Sequence, residues 1–137
     1  MNRQGTKSAK EEPNQNLDEL AHRVIGAAIE VHRELGPGYL ESVYEEAMAI
    51  ELNNLRIGFE RQLVFSVPYK DQKVGEGRID FLVEGRLIVE LKAVDKLVPI
   101  HTAQVISYLK ATGCTLGLLI NFNERLLRSG IQRVILS

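Results

Sequence analysis

The stretch Arg78-Ile-Asp-Phe-Leu-Val-Glu-Gly-Arg-Leu-Ile-Val-Glu-Leu-Lys92 decides how this chain is read. It places Asp80, Glu90 and Lys92 inside a run otherwise built from Ile, Phe, Leu and Val. Carboxylates and an ammonium near a sheet core lose hydration that apolar neighbours cannot replace. A divalent cation resolves that cost, because it takes oxygen ligands and offsets their charge. The competing reading is a surface hairpin whose charged residues face water, and alternation by itself does not separate the two.

Strand parity makes the difference testable. In Arg86–Lys92, Glu90 and Lys92 share a face, while Leu87, Val89 and Leu91 take the other. On the preceding strand Arg78, Asp80 and Leu82 lie opposite to Ile79, Phe81 and Val83. A two-residue loop, Glu84-Gly85, pairs Asp80 with Val89 and puts Asp80 and Glu90 on opposite faces, where they cannot share a metal. A three-residue loop, Val83-Glu84-Gly85 with Gly85 left-handed, pairs Leu82 with Arg86 and gathers Arg78, Asp80, Glu90 and Lys92 on one face. The expectation is an odd loop or a bulge.

Upstream, Leu63, Phe65, Val67 and Tyr69 alternate with Val64, Ser66 and Pro68, which predicts a strand with Pro68 at an edge or an end. Lys70 to Gly77 reads as a turn. Before it, a helix from about Leu40 to Asn54 presents Leu40, Val43, Ala47 and Ile50 as its core stripe. Glu41, Tyr44 and Glu45 share one side of its first turns. A carboxylate there is favoured by the helix dipole alone, so periodicity assigns Glu41 an ordinary structural role. Asn16 and Glu19 read as a capping box, followed by Leu17, Leu20, Ala21, Val24, Ile25, Ala28, Val31 and Leu35 at helical spacing up to Gly36-Pro37-Gly38. Residues 1–15 hold almost no large apolar group, so the domain is expected over 16–137 behind a flexible tail. His22 and His32 lack a second ligand at a useful spacing and read as structural.

Downstream come a loop ending at Pro99, a helix from about Ile100 to Thr112 closed by Gly113, and a continuous apolar strand through Leu116, Leu118, Leu119 and Ile120. Strand, helix, buried strand predicts a right-handed parallel crossover. A last amphipathic piece runs from Ile131 to Leu136. His101, Gln104 and Tyr108 form a polar stripe opposite Ile106, either a solvated face or groups that orient a charged site beside them.

A length of 137 residues with 45% hydrophobic and 26% charged residues suits one ordinary core. The single cysteine, Cys114, forbids an internal disulfide and reads as a small buried residue at a strand start. With no signal peptide and no apolar run of membrane-spanning length, a cytoplasmic protein without membrane association is expected. A net charge of −1 excludes global attraction to polyanions, so any nucleic-acid binding must come from a local patch or a bound metal.

The order of an acidic helix, Asp80, Glu90-x-Lys92 and Gln104-x-x-x-Tyr108 resembles the PD-(D/E)xK nuclease superfamily, whose core is a helix, a three-stranded meander, a helix and a strand. Gly38-Tyr-Leu-Glu41-Ser-Val-Tyr44 is similar to the signature of the GxxExxY family, small bacterial and archaeal proteins assigned to that superfamily. Agreement extends from about Leu17 to Leu136 and includes Gly26-Ala-Ala-Ile-Glu-Val-His32, Phe59-Glu-Arg-Gln62, Val89-Glu-Leu-Lys-Ala-Val94 and Leu119-Ile-Asn-Phe122. Ile79 stands where the superfamily often has Pro, a departure that removes no ligand.

The resemblance implies an α/β, restriction-endonuclease-like fold. It implies that Asp80 and Glu90, with the main-chain carbonyl of Leu91 and with Glu41, hold magnesium or manganese. Lys92 then orients or deprotonates the attacking water, and Gln104 and Tyr108 position Lys92 or the scissile phosphate. Arg78 is a candidate for a phosphate oxygen, or equally for an ion pair with Glu90. Glu45 and Glu60 are weaker metal candidates. The implied activity is metal-dependent hydrolysis of nucleic acid, DNA before RNA, with a homodimer as a way to supply a second site for the other strand. The alternatives are a non-hydrolytic nucleic-acid-binding or oligomerisation module on the same fold, and a hydrolase of a small phosphorylated ligand. Without a recognition appendage, such a domain is expected to read base sequence poorly.

Overall fold

Glu84 at φ 53° and Gly85 at φ 67° turn the chain through left-handed backbone, and the strands on either side meet again at Val83 and Leu87. The loop is therefore Glu84-Gly85-Arg86, odd as expected but one residue later than Val83-Glu84-Gly85. That offset moves the register by two, which leaves parity unchanged.

A computed structural model of the chain describes residues 11–136. Helices α1 (Glu11–Leu35) and α2 (Glu41–Asn54) are followed by β1 (Phe59–Tyr69), β2 (Gln72–Val83) and β3 (Leu87–Lys92). Then come α3 (Pro99–Thr112), β4 (Leu116–Asn121), a single 3-10 turn (Leu127–Gly130) and β5 (Ile131–Ile135). The five strands form one mixed sheet in chain order, antiparallel except for the parallel β3–β4 pair that α3 bridges. This is the α/β, restriction-endonuclease-like architecture, with β5 as an added edge. The amphipathic segment after Ile131 supplies it.

One face of the sheet packs Phe81, Val83, Leu87, Val89, Leu91, Leu118 and Ile120 under α1 and α2. The other packs Ile88, Leu119 and Val134 under Val105 and Leu109 of α3, with Cys114 buried among them. Gly113, at φ 78°, closes α3 as expected.

Several expectations are corrected. Helix α1 begins at Glu11, ahead of the Asn16–Glu19 box, so residues 11–15 of the expected 1–15 tail are helical; its remainder, residues 1–10, lies outside the described residues. In α2 the buried stripe is Tyr44, Met48, Ala49 and Leu52, whereas Leu40 is 78% exposed and Val43 and Ile50 also face solvent. Two apolar faces were available at helical spacing, and the one with a tertiary partner won: the Tyr44 ring stacks on Phe122 with centroids 4.6 Å apart. The expected Lys70–Gly77 turn is only Lys70-Asp71, both at positive φ as a tight hairpin turn requires, and β2 already starts at Gln72.

The early start of β2 has a further result. Its pairing with β3 covers only Phe81 to Val83, so between Gln72 and Ile79 its strand partner is β1 alone. A two-stranded ribbon thus projects past the sheet, the kind of appendage the sequence reading did not expect. Phe65 secures it from one side: a Cβ on Gly77 would lie 2.1 Å from the Phe65 ring, which in turn meets Tyr108 edge-on at 5.3 Å. A register shift at Val67/Pro68 bends its outer strand.

Candidate active site

Alternation fails at one place in the sheet. Phe59 and Phe81 pack toward α1 and α2, yet Leu63, Phe65 and Ile79 pack toward α3, although each set keeps the same odd numbering. Both strands therefore switch faces between the pairs Arg61↔Phe81 and Leu63↔Ile79, where Gln62 stands across from Asp80. Gln62 makes the switch with a left-handed backbone, φ 54°, unusual for a residue with a Cβ.

On its other side Asp80 faces Glu90. The β2–β3 ladder stops at Phe81↔Val89, and beyond it the side chains replace the main-chain bonds. Asp80 N donates to Glu90 Oε2 at 2.7 Å, and Leu91 N donates to Asp80 Oδ2 at 2.9 Å. The two strands part there with an acid from each in the gap, so the expected meeting of Asp80 with Glu90 is realised. Arg78, carried over by the face switch, stands exposed opposite Val64, and no ion pair joins it to Glu90 among the described residues.

Helix α2 brings a third and a fourth acid. Glu41 is its first residue, and the motif around it explains why. Tyr44 Oη donates to Gly36 O at 2.6 Å and accepts from Tyr39 N at 3.2 Å, which pins the Gly36–Leu40 turn onto the helix it precedes. Gly38, at φ 109°, supplies the backbone for that turn. Glu45 is held by Arg61 at 2.9 Å and by Gln62 Nε2 at 2.8 Å, and the same Gln62 amide reaches Asp80 Oδ1 at 3.4 Å.

Burial and like charge couple these groups, with Lys92 as the opposing charge. Glu90 is 5% exposed, and burial, then the neighbouring Asp80 carboxylate, push its pKa up to about 8. Burial raises Asp80 first and Glu45 adds to it; Glu41 is raised by burial and then by Asp80. Lys92 opposes the rise at all three. Tyr108, on the other side, is raised by burial, Glu90 and Asp80. The site thus carries more negative charge than Lys92 offsets, and its donors are hard oxygens of the kind magnesium or manganese takes. Among the described residues no three carboxylate, His or Cys groups are gathered as a ready cage. That still fits an ion that keeps several waters and uses one or two carboxylates.

Lys92 closes β3, and its Nζ lies 3.4 Å from Gln104 Oε1 of α3. The backbone beyond it is clamped by Asn121, a fully buried amide that accepts from Val94 N at 3.0 Å and donates to Val94 O at 2.9 Å. Phe122 N donates to Lys92 O at 2.8 Å. The structure therefore brings together Asp80, Glu90, Lys92, Glu41, Gln104 and Tyr108, with Glu45 tied in through Gln62. Glu60 is exposed on the edge strand, and His101 serves as a helix cap, its Nδ1 accepting from Val98 N at 3.0 Å. His32 Nε2 lies 2.7 Å from Glu124 O, and His22 is exposed. Sequence reasoning missed the roles of Gln62 and Asn121. The signals were a glutamine inside a strand, an asparagine ending an apolar run, and the presence of both in the stretches Phe59–Gln62 and Leu119–Phe122 that carry the resemblance.

The family model described as the PD-(D/E)XK nuclease superfamily matches residues 18–134. No curated protein and no solved structure gives a significant match.

Proposed function

Because the chain belongs to the PD-(D/E)XK nuclease superfamily, we propose that it hydrolyses phosphodiester bonds in nucleic acid with a divalent metal, acting on DNA in preference to RNA. The observation that supports this most is the parted ladder holding Asp80 and Glu90, with Lys92 at the end of the same strand. The Gly38–Tyr44 motif, whose tyrosine sets the entry of Glu41, supports the finer placing in the GxxExxY family.

Asp80, Glu90, the Leu91 carbonyl and Glu41 would hold magnesium or manganese, which when bound polarises a phosphoryl oxygen and activates water. The protein's own share is positioning and proton transfer. Lys92, fixed by the Asn121 clamp behind it and by Gln104 beside it, orients or deprotonates the attacking water and steadies charge on the phosphoryl oxygens. Tyr108, lodged against Phe65, presents a hydroxyl from the α3 side. A homodimer would let two such sites address two strands.

The test is a cleavage screen on single-stranded, nicked, branched and duplex DNA with magnesium or manganese, with Lys92→Met run beside the wild type. Methionine keeps much of the apolar stem and removes the charge. The variant is expected to fold and bind metal while hydrolysis falls by roughly two to four orders of magnitude, the range for a positioned proton-transfer group. Wild-type rates in a Lys92→Met preparation free of contaminating nuclease would remove Lys92 from the chemistry. DNA binding with no cleavage by the wild type would replace this reading with the binding module.

A further inference from the structure

A chain of net charge −1 that acts on a polyanion needs a local source of attraction, and the acidic site itself repels phosphate. Arg33, Arg125 and Arg128 line one cavity of about 350 Å³ between the last turn of α1 and the segment after β4. We infer that this cavity holds the phosphodiester backbone of the strand that enters the Asp80–Glu90–Lys92 site, with Arg125 and Arg128 as its phosphate-binding cations. The inference rests on the nuclease reading above and gives it a substrate surface.

Placement comes first. Strands β3 and β4 are parallel, with Lys92 level with Asn121, so the segment after Asn121 leaves the sheet beside the catalytic lysine. Phe122 N holds Lys92 O at 2.8 Å, and the Phe122 ring stacks on Tyr44, which sets the entry of Glu41. The contact between His32 Nε2 and Glu124 O, at 2.7 Å, ties the end of α1 to the same segment. The cavity and the acidic site therefore belong to one edge of the molecule, joined through packed residues.

Charge and shape follow. Arg33 is partly neutralised by Glu30 at 2.6 Å, and Arg133 is paired with Asp18 at 2.6 Å. Arg125 and Arg128 are exposed and enter no ion pair among the described residues. A guanidinium fork suits phosphate oxygens and holds its charge at every relevant pH. Between them Leu126 is 72% exposed, and with Ile29 it gives the cavity an apolar wall. Cations flanking an apolar strip complement a sugar–phosphate chain, which alternates charge with the carbon face of a ring. A polyanion without ring faces, such as polyglutamate, would use the arginines and leave the strip without a counterpart.

The experiment is fluorescence anisotropy with a labelled DNA duplex and a labelled single strand in EDTA, over a range of salt. It compares the wild type with Arg125→Gln/Arg128→Gln, with Arg125→Lys/Arg128→Lys, and with Arg56→Gln/Lys110→Gln. The last pair removes one charge just beyond the end of α2 and one from the last turn of α3. The glutamine variant is expected to bind roughly 10-fold more weakly near physiological salt, and its slope of log affinity against log salt should shrink by about 1.4 to 1.8, two phosphates' worth. The lysine variant should keep the slope and confirm that folding is intact; the distal variant should match the wild type. If the wild type binds DNA and the glutamine variant keeps both affinity and slope, the inference is overturned while the nuclease reading stands. Equal slope losses in the glutamine and distal variants would overturn it too, since only net charge would then matter. A wild type that binds polyglutamate as tightly as DNA, with the same loss in the variant, makes the cavity a protein-docking surface and overturns it. A wild type with no affinity for either DNA form in EDTA overturns the inference as well, and the nuclease reading is then decided by the cleavage screen with metal.

Discussion

Glu90 is raised from 4.5 to about 8, so across that range the folded chain holds a proton that the unfolded chain has released. Wherever the folded state binds more protons, stability falls as pH rises. In EDTA the wild type should therefore melt progressively lower between pH 5 and pH 8. Glu90→Gln keeps an oxygen to accept from Asp80 N and has no proton to lose. It is expected to flatten much of that decline and to melt higher than the wild type at pH 8, by at least about 3 °C. Asp80 and Glu41, shifted the same way, leave a residual slope. Calorimetry across pH checks this, and a wild-type melting temperature independent of pH would contradict it. At this scale the sequence was legible where chemistry dominates: acids and a lysine in an apolar run announce a candidate site. It was silent on Gln62 and Asn121, because an amide's worth depends on which backbone groups the fold leaves unpaired, and those are set by segments remote in the chain.

Among the elements, strand parity was the dependable guide. A period of two is rigid, so the choice between even and odd loops decided whether Asp80 and Glu90 could meet, and a loop displaced by one residue did no harm. The same rigidity misled for Arg78, because the face switch at Gln62 and Asp80 carries no local signature; glutamine is no usual occupant of left-handed backbone. In α2 the apolar stripe was misjudged because its partner, Phe122, belongs to a far segment. The ribbon offers a direct test of packing. Gly77→Ala places a methyl 2.1 Å from Cζ of Phe65, so ring or strand must move, and a loss of about 1–3 kcal/mol is expected. Phe65→Leu in the same chain should recover part of it, which urea denaturation of the two single variants and the double variant would reveal as a non-additive term. Strict additivity would mean that the ring does not press on the strand.

For the whole molecule, the succession of helices and strands was readable because each element carries its own periodicity, and the acidic site was readable because its residues follow one another along a hairpin and a helix. The arginine cavity was not: its walls come from opposite ends of the chain, and only the folded sheet brings them together. Among the described residues no helix is long and apolar enough to cross a membrane. The outermost strand raises a different matter. β1 runs from Phe59 to Tyr69 along the border of the sheet and exposes Val64, Val67 and Tyr69, a composition that invites a second molecule to add its own strand. Pro68 has no amide to offer such a visitor, and the shifted register beside it spoils the straight template. Pro68→Val should therefore leave the fold intact yet make concentrated solutions turbid and thioflavin-positive within hours while the wild type stays clear, and equal scattering from both would assign that protection elsewhere. On this view a single imino acid at the rim keeps a working sheet from seeding fibrils.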